Sequence, residues 1–341
     1  MKPTRILVVD DSAFARKVLR DVLQAAPGLE VVGIARDGLD ALAKIEELDP
    51  DVVTLDLVMP HLDGLDTLRA LASRPRPRVV VVCMADSDSE QALAALAAGA
   101  VEVVHKPTAL ATDRLYELSQ ELVFKVRAAA EARPTPVLEP TPPPLPQVGA
   151  QRSLRRDLLL VGASTGGPQA ITRLLGRMPA DFPLPIAVVV HLPAGFTQSF
   201  AERLDSDCAL QVVEATQGAR LTPGTAVIAQ GGLHLHIKRD AAGLYAALTA
   251  EPVSLHRPSV DQLFSSAALA APGRVLGVVL TGMGDDGLVG SRQLAETGAE
   301  LLVETEASAV IYGMPRVVYE AGLASAQFSI DDMAAAVLAR I

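Results

Sequence analysis

The chain has 341 residues, half of them hydrophobic, with 30 Lys and Arg against 40 Asp and Glu, a net charge of −10. At roughly 100–200 residues per domain this length predicts two domains, and the acidic balance excludes the broad basic surface that a nucleic-acid partner needs. Two cysteines, Cys83 and Cys208, make no disulfide framework. The N-terminal MKPTRILVVDD meets two aspartates before a signal-peptide core could form, and apolar runs such as VVVVCMA are too short to span a bilayer. A cytoplasmic protein with no direct membrane insertion is expected.

The first half alternates between two patterns. Strand-like runs at 5–10 (RILVVD), 31–35 (VVGIA), 51–56 (DVVTLD), 78–83 (RVVVVC) and 101–105 (VEVVH) are separated by the helical patterns FARKVLRDVLQAA, GLDALAKIEEL, DGLDTLRALAS and SEQALAALAAG. Strand and helix alternating five times predict a doubly wound five-stranded parallel sheet, with its site at the C-terminal strand ends. Those ends carry Asp10 and Asp11, Asp56, and His105 with Lys106. Clustered carboxylates repel one another and call for a cation, and hard oxygen ligands suit Mg²⁺.

VVDDS (8–12), LDLVMPHLDG (55–64) and HKP (105–107) resemble the receiver domain of two-component response regulators, over about residues 4–125. The resemblance implies a flavodoxin-like fold in which Asp56 accepts a phosphoryl group from a chemotaxis histidine kinase. It implies that Asp10, Asp11 and Asp56 hold Mg²⁺ and that Lys106 contacts the phosphoryl oxygens. Receivers carry Ser or Thr at the end of strand four, where this chain has Cys83. A thiol is a weaker donor, which predicts a weaker or differently wired switch.

The composition breaks near residue 128. The following segment holds Pro134, Pro136, Pro140, Pro142, Pro143, Pro144 and Pro146. Such a run favours extended polyproline II, about 3.1 Å per residue, and reads as a linker over 128–154 between domains at 1–127 and 155–341.

The second half opens on an apolar run, DLLLV, then GASTGG (162–167), then the helix-like PQAITRLLGRM. Gly162-Ala163-Ser164-Thr165-Gly166 fits G-x-S-x-G in a strand–turn–helix context, which presents a serine hydroxyl beside free helix N–H groups. A phosphate cradle is the weaker reading, because the loop has no lysine and its glycines fit neither nucleotide fingerprint. A serine nucleophile needs a base and an orienting acid. His191 ends the run PIAVVV and ranks first as the base, ahead of His234, His236 and His256. His234 and His236 alternate on one strand face and read as ordinary polar strand positions rather than a zinc pair. The run VLGVVLTGMGDDG offers Asp285 and Asp286, which spacing does not separate.

GASTGGP (162–168), HLPAGFTQSFAERLD (191–205), HRPSVDQLF (256–264), LTGMGDDGLVG (280–290) and EASAVIYGMP (306–315) resemble the catalytic domain of the chemotaxis protein-glutamate methylesterase family. With the receiver in front, the resemblance covers the whole chain. It implies a second doubly wound α/β domain, with Ser164 as nucleophile, His191 as base and Asp286 as orienting acid. It places the Met283 N–H near the oxyanion and Thr165 beside the nucleophile. It implies methyl-ester hydrolysis, and glutamine deamidation, on methyl-accepting chemoreceptors, with no cofactor for the hydrolysis and a monomeric enzyme. Gln230 and Val58 depart from the family's usual proline and acidic residue. A DNA-binding output is disfavoured by the absence of a helix-turn-helix pattern, and a non-catalytic scaffold would need no triad.

Overall fold

The computed structural model describes residues 2–71, 77–106, 112–133 and 156–341. The proline-rich run and Pro107 lie outside these. The chain divides into two compact units, Met1–Glu139 and Pro140–Ile341.

The first unit runs β1 (Thr4–Val9), α1 (Ala13–Ala25), β2 (Leu29–Ala35), α2 (Gly38–Leu48), β3 (Val52–Leu55), α3 (Gly64–Leu71), β4 (Arg78–Cys83), α4 (Ala85–Ala97), β5 (Glu102–His105) and α5 (Thr112–Glu131). The strands form one parallel sheet in the order β2-β1-β3-β4-β5. The central strands are buried on both faces, as apolar runs without alternation require. Ser12 caps α1 through the Ala15 N–H, and Asp37 caps α2 through the Asp40 N–H, each satisfying a donor that a helix start leaves free. The sheet ends one residue short of its acids. β1 stops at Val9 and β3 at Leu55, so Asp10 and Asp56 stand just past the strand ends. Helix α5 runs past residue 127 to Glu131, with Ala128 and Ala129 buried. Alanine is the best helix former, and here it also packs, so the composition break falls inside the helix.

The second unit continues with β6 (Leu158–Ala163), α6 (Gly167–Leu175), β7 (Ile186–Val190), α7 (Phe196–Asp207), β8 (Gln211–Glu214), β9 (Thr225–Ile228), β10 (His234–Asp240), β11 (Gly243–Thr249), α8 (Val260–Ala270), β12 (Val275–Val279), α9 (Leu288–Glu296), β13 (Glu300–Glu304), α10 (Met314–Glu320), β14 (Ala326–Phe328) and α11 (Ile330–Leu338). Seven strands form a parallel sheet, β14-β13-β12-β6-β7-β9-β8, while β10 and β11 pair as an antiparallel hairpin. From β6 the chain first builds outward through β7, then returns to lay β12 on the other side of β6. The strand order therefore reverses between β6 and β12, the crevice where such sheets bind ligands. The loops after β6, β7 and β12 carry Ser164, His191 and Asp286.

Candidate active site and acidic site

Ser164 sits on the turn from β6 into α6. Gly166 adopts the left-handed conformation, φ +76°, and a Cβ there would lie 2.6 Å from Val310 Cβ, so both strain and space demand glycine. The turn is pinned by the Ser164 N–H donating to the Thr281 carbonyl (3.0 Å) and the Thr281 hydroxyl donating to the Thr165 carbonyl (2.9 Å). A Cβ on Gly282 would lie 2.8 Å from Ser164 Cβ; the loop after β12 presses against the serine and tolerates no side chain there.

His191 follows β7 directly and bridges the other two residues. Its Nδ1 lies 2.9 Å from Ser164 Oγ and its Nε2 lies 2.8 Å from Asp286 Oδ2. A carboxylate accepts only, so Asp286 fixes the proton on Nε2 and leaves the Nδ1 lone pair for the serine hydroxyl. This is the reverse of the chymotrypsin assignment, in which Nε2 faces the serine.

Asp286 is held by four donors. Besides His191, it accepts from Ser259 Oγ (2.8 Å), Val260 N–H (2.7 Å) and Asp261 N–H (2.9 Å). Those two N–H groups open α8, so the carboxylate occupies the positive end of a helix. Burial alone would raise its pKa, but the hydrogen bond and charge of His191 and the two N–H groups outweigh it, and the carboxyl stays well below the usual range. Asp285 is exposed; of the two aspartates that spacing left open, Asp286 is the one at the histidine. Met283 follows Gly282, whose carbonyl accepts from the Gly313 and Met314 N–H groups. Among the described residues, the Thr165 and Met283 N–H groups donate to no protein acceptor.

Several supporting contacts are not legible in the sequence. Asp261 accepts from the Gly287 and Gly290 N–H groups, at 3.0 and 2.7 Å, and burial pushes its carboxyl up to about 6. Glu304 ends β13 buried and accepts from the Thr281 N–H and the Ser308 hydroxyl. His256 stacks on His191. Of these, only the α8 start had a sequence signal, the capping-box spacing of Ser259 and Gln262. His234 corrects an expectation. It is fully buried, not an ordinary polar strand position, and its Nε2 lies 2.9 Å from the Pro252 carbonyl, so the chain after β11 meets it on this face, while Leu235 and Ile237 on the other face of the strand join the core.

In the first unit, Asp10, Asp11 and Asp56 bring carboxylate oxygens within 4.8 Å of one another. Lys106 Nζ lies 2.8 Å from both Asp10 Oδ2 and Asp56 Oδ2. Burial would lower the Lys106 pKa, but hydrogen bonds and charge from the two aspartates raise it. The Asp56 carboxyl is pushed up by burial, with the Asp10 charge adding to this, against the pull of Lys106. Cys83 is buried at the end of β4, and its carbonyl accepts the Lys106 N–H at 2.7 Å. Val58 is exposed, and Gln230 closes a turn, its carbonyl accepting the Leu233 N–H.

The CheB methylesterase family model matches residues 159–337, and the response regulator receiver domain model matches residues 6–118. The chain is 56% identical to a protein-glutamate methylesterase/protein-glutamine glutaminase of Myxococcus xanthus, over 98% of this chain and 97% of that one. A protein of the same description from Symbiobacterium thermophilum is 43% identical, over 98% and 96%. Among solved structures, the CheB methylesterase catalytic domain of Thermotoga maritima matches at TM-score 0.53 and 34% identity, covering 55% of this chain and 99% of that one. With both domain models in order along a chain aligned nearly end to end with these relatives, the protein belongs to the CheB methylesterase family, with a response-regulator receiver domain at its N-terminus.

Proposed function

We propose that this protein hydrolyses γ-glutamyl methyl esters on cytoplasmic helices of methyl-accepting chemoreceptors, under control of its receiver domain. The observation that carries the reading is His191 bridging Ser164 and Asp286 at hydrogen-bond distance. Ser164 Oγ attacks the ester carbonyl while its proton passes to His191 Nδ1. The oxyanion is received by N–H groups that have no protein acceptor, Met283 and Thr165. His191 returns the proton to the departing methanol, leaving a glutamyl ester on Ser164. A water that loses its proton to His191 then attacks, and the Ser164 hydroxyl and a free glutamate are released. A glutamine side chain would follow the same path with ammonia as leaving group, which accounts for the second activity in the relatives' names. Asp286 holds the tautomer and faces the imidazolium when it forms.

The domain division is a receiver over 1–131, a proline-rich linker, and the esterase domain from about 155 to 341. In the receiver, Asp56 takes a phosphoryl group from a chemotaxis histidine kinase. The donor set fits Mg²⁺, being three carboxylates close enough to share one hard cation. Asp10, Asp11 and Asp56 would hold it, and it would neutralise the charge of the incoming phosphoryl group. Lys106 supplies the fixed positive charge on the other side. With Cys83 where receivers carry a hydroxyl, phosphorylation raises esterase activity less than removal of the receiver does. The protein acts in the cytoplasm as a monomer; no described helix is long and apolar enough to cross a membrane.

The test is methanol release from methylated chemoreceptor membranes by the full chain, with and without a small phosphodonor, beside the fragment from residue 156. Turnover that requires Ser164, is raised by the phosphodonor and is higher still in the fragment supports the reading. Failure to release methanol with correctly matched receptors would overturn the substrate; equal rates for fragment and unphosphorylated chain would overturn the inhibitory role of the receiver.

A further inference from the structure

The segment between β11 and α8 lays an aromatic ring flat on His191. The His256 and His191 rings are parallel within 7°, with centroids 4.1 Å apart. This is closer and flatter than the edge-on and offset arrangements most aromatic pairs adopt. The segment is tied at several points. Buried His234 on β10 holds the Pro252 carbonyl, the Ser254 hydroxyl donates to the His256 carbonyl (2.7 Å), and the Gly232 N–H donates to the Arg257 carbonyl (3.0 Å). Ser259 then joins it to Asp286. Along this stretch Val253 and Leu255 are 73% and 68% exposed, while His256 between them and the helix is turned inward and half-buried. A chain that leaves two apolar side chains in water and directs a polar ring onto the base is arranged for that ring.

We infer that His256 is a positioning residue for His191, acting through its ring face; the inference rests on Ser164, His191 and Asp286 being the reacting set. His191 must keep Nδ1 on the serine and Nε2 on the aspartate, and rotation about its Cβ–Cγ bond breaks both contacts at once. A parallel ring at 4.1 Å blocks that rotation on one face. When His191 takes the serine proton, its new positive charge lies against a π face, which is attractive. Both effects need a flat aromatic ring and neither needs a histidine. His234, which the sequence offered as another base, serves instead as an anchor of the segment that carries this ring.

The experiment compares wild type with His256→Phe, His256→Leu and His256→Ala in the full chain. Two readouts are taken: the rate at which a fluorophosphonate labels Ser164, and kcat and KM for methanol release from methylated receptor. Labelling forms the Ser164 Oγ–phosphorus bond, expels fluoride and passes the serine proton to His191, so it reports the base without needing the natural substrate. Expected is about a tenfold slowing of labelling and of kcat in the Leu and Ala variants, the size of one aromatic stack, with KM unchanged, and recovery to near wild type in the Phe variant. Leu labelling as fast as wild type, or Phe as slow as Leu, would overturn the inference. So would a rise in KM with labelling unchanged, because that marks a substrate contact. Equal thermal midpoints establish that the Leu variant is folded, and the Phe variant carries the test if it is not. Wild type that fails to label at Ser164 sinks the triad itself. Wild type that labels but releases no methanol sinks only the substrate, and the His256 comparison stands.

Discussion

Asp56 and Asp286 make an instructive pair. Each lies in the chain that follows a strand of a parallel sheet, Asp56 directly after β3 and Asp286 in the loop after β12; each is mostly buried, and each has a cationic or potentially cationic neighbour at 2.8 Å. Yet the Asp56 carboxyl is pushed up and the Asp286 carboxyl held down. The difference is in what else surrounds them. Asp286 has four donors, two from a helix N-terminus, and among the described residues it is the carboxylate hydrogen-bonded to the histidine. Asp56 shares a single lysine with Asp10 and stands in a cluster of three acids. One carboxylate is fully satisfied by the fold and serves as a fixed charge. The other is left under-neutralised, which is what the cation and the phosphoryl transfer proposed for it require.

This contrast makes the two sites separable by mutation, and the largest effect falls on the serine. Ser164→Ala is expected to lower kcat for methanol release by about a millionfold, the loss seen when a triad nucleophile is removed, while Asp56 still accepts a phosphoryl group from a small phosphodonor. Residual turnover within a hundredfold of wild type would move the nucleophile elsewhere. Asp286→Asn tests the satisfied carboxylate. With the amide nitrogen at Oδ2 it would set N–H groups against the Val260 N–H and would donate to His191 Nε2, reversing the tautomer; with the nitrogen at Oδ1 it would oppose the Asp261 N–H instead, and either orientation removes the negative charge that faces the imidazolium. A loss of about ten-thousandfold in kcat is expected; a variant near wild type would mean that the aspartate only caps α8.

The under-neutralised side is tested by chelation. Labelling of Asp56 by a small phosphodonor should vanish with EDTA and in Asp56→Asn, whereas fluorophosphonate labelling of Ser164 should not change under either treatment. Phosphoryl labelling that survived chelation would show that Lys106 alone suffices and that the acids hold no cation. Ser164 labelling that fell on chelation would erase the distinction between the two sites.

How much of this was legible in the sequence follows from the range of the interactions. The five-strand alternation, the acids at the strand ends and the G-x-S-x-G turn are local patterns, and each lies within a residue or two of where it was read. His191 was legible as the end of an apolar run. The choice between Asp285 and Asp286 was not legible from spacing, because it depends on which one reaches the start of α8. The contacts of His256, which the sequence offers only as another base, and of Glu304 were not legible for the same reason. The first meets its partner across 65 positions of sequence and the second holds Thr281 across 23, and no local periodicity encodes either. Composition changes near residue 127, whereas α5 continues to Glu131 with Ala128 and Ala129 buried, a packing that composition does not encode.

Glu304 extends the comparison to a third carboxylate and gives the smallest predicted effect. It is 1% exposed and accepts from two donors, the Thr281 N–H (2.8 Å) and the Ser308 hydroxyl (2.9 Å). Two neutral donors do not offset its burial, and its carboxyl rises from 4.5 to about 7; Arg173 pulls it down and Asp331 pushes it up, but these two face each other at 3.6 Å and largely cancel. Between pH about 4.5 and about 7 the folded protein holds a proton that the unfolded chain has released. Its contribution to stability therefore declines as pH rises through that window, by about 3 kcal/mol in total. Glu304→Gln keeps an oxygen for the Thr281 N–H and presents an amide N–H to Ser308 Oγ, which can accept it, and it does not titrate. The thermal midpoint of the variant relative to wild type should accordingly climb from pH 5 to pH 8, by several degrees at about 2–4 °C per kcal/mol for a unit of this size. Asp261, which also titrates near neutrality, is common to both proteins and drops out of the difference. A difference that stays flat across that range would show that the two donors suffice to keep Glu304 an ordinary carboxylate, and would place it with Asp286 rather than between Asp286 and Asp56.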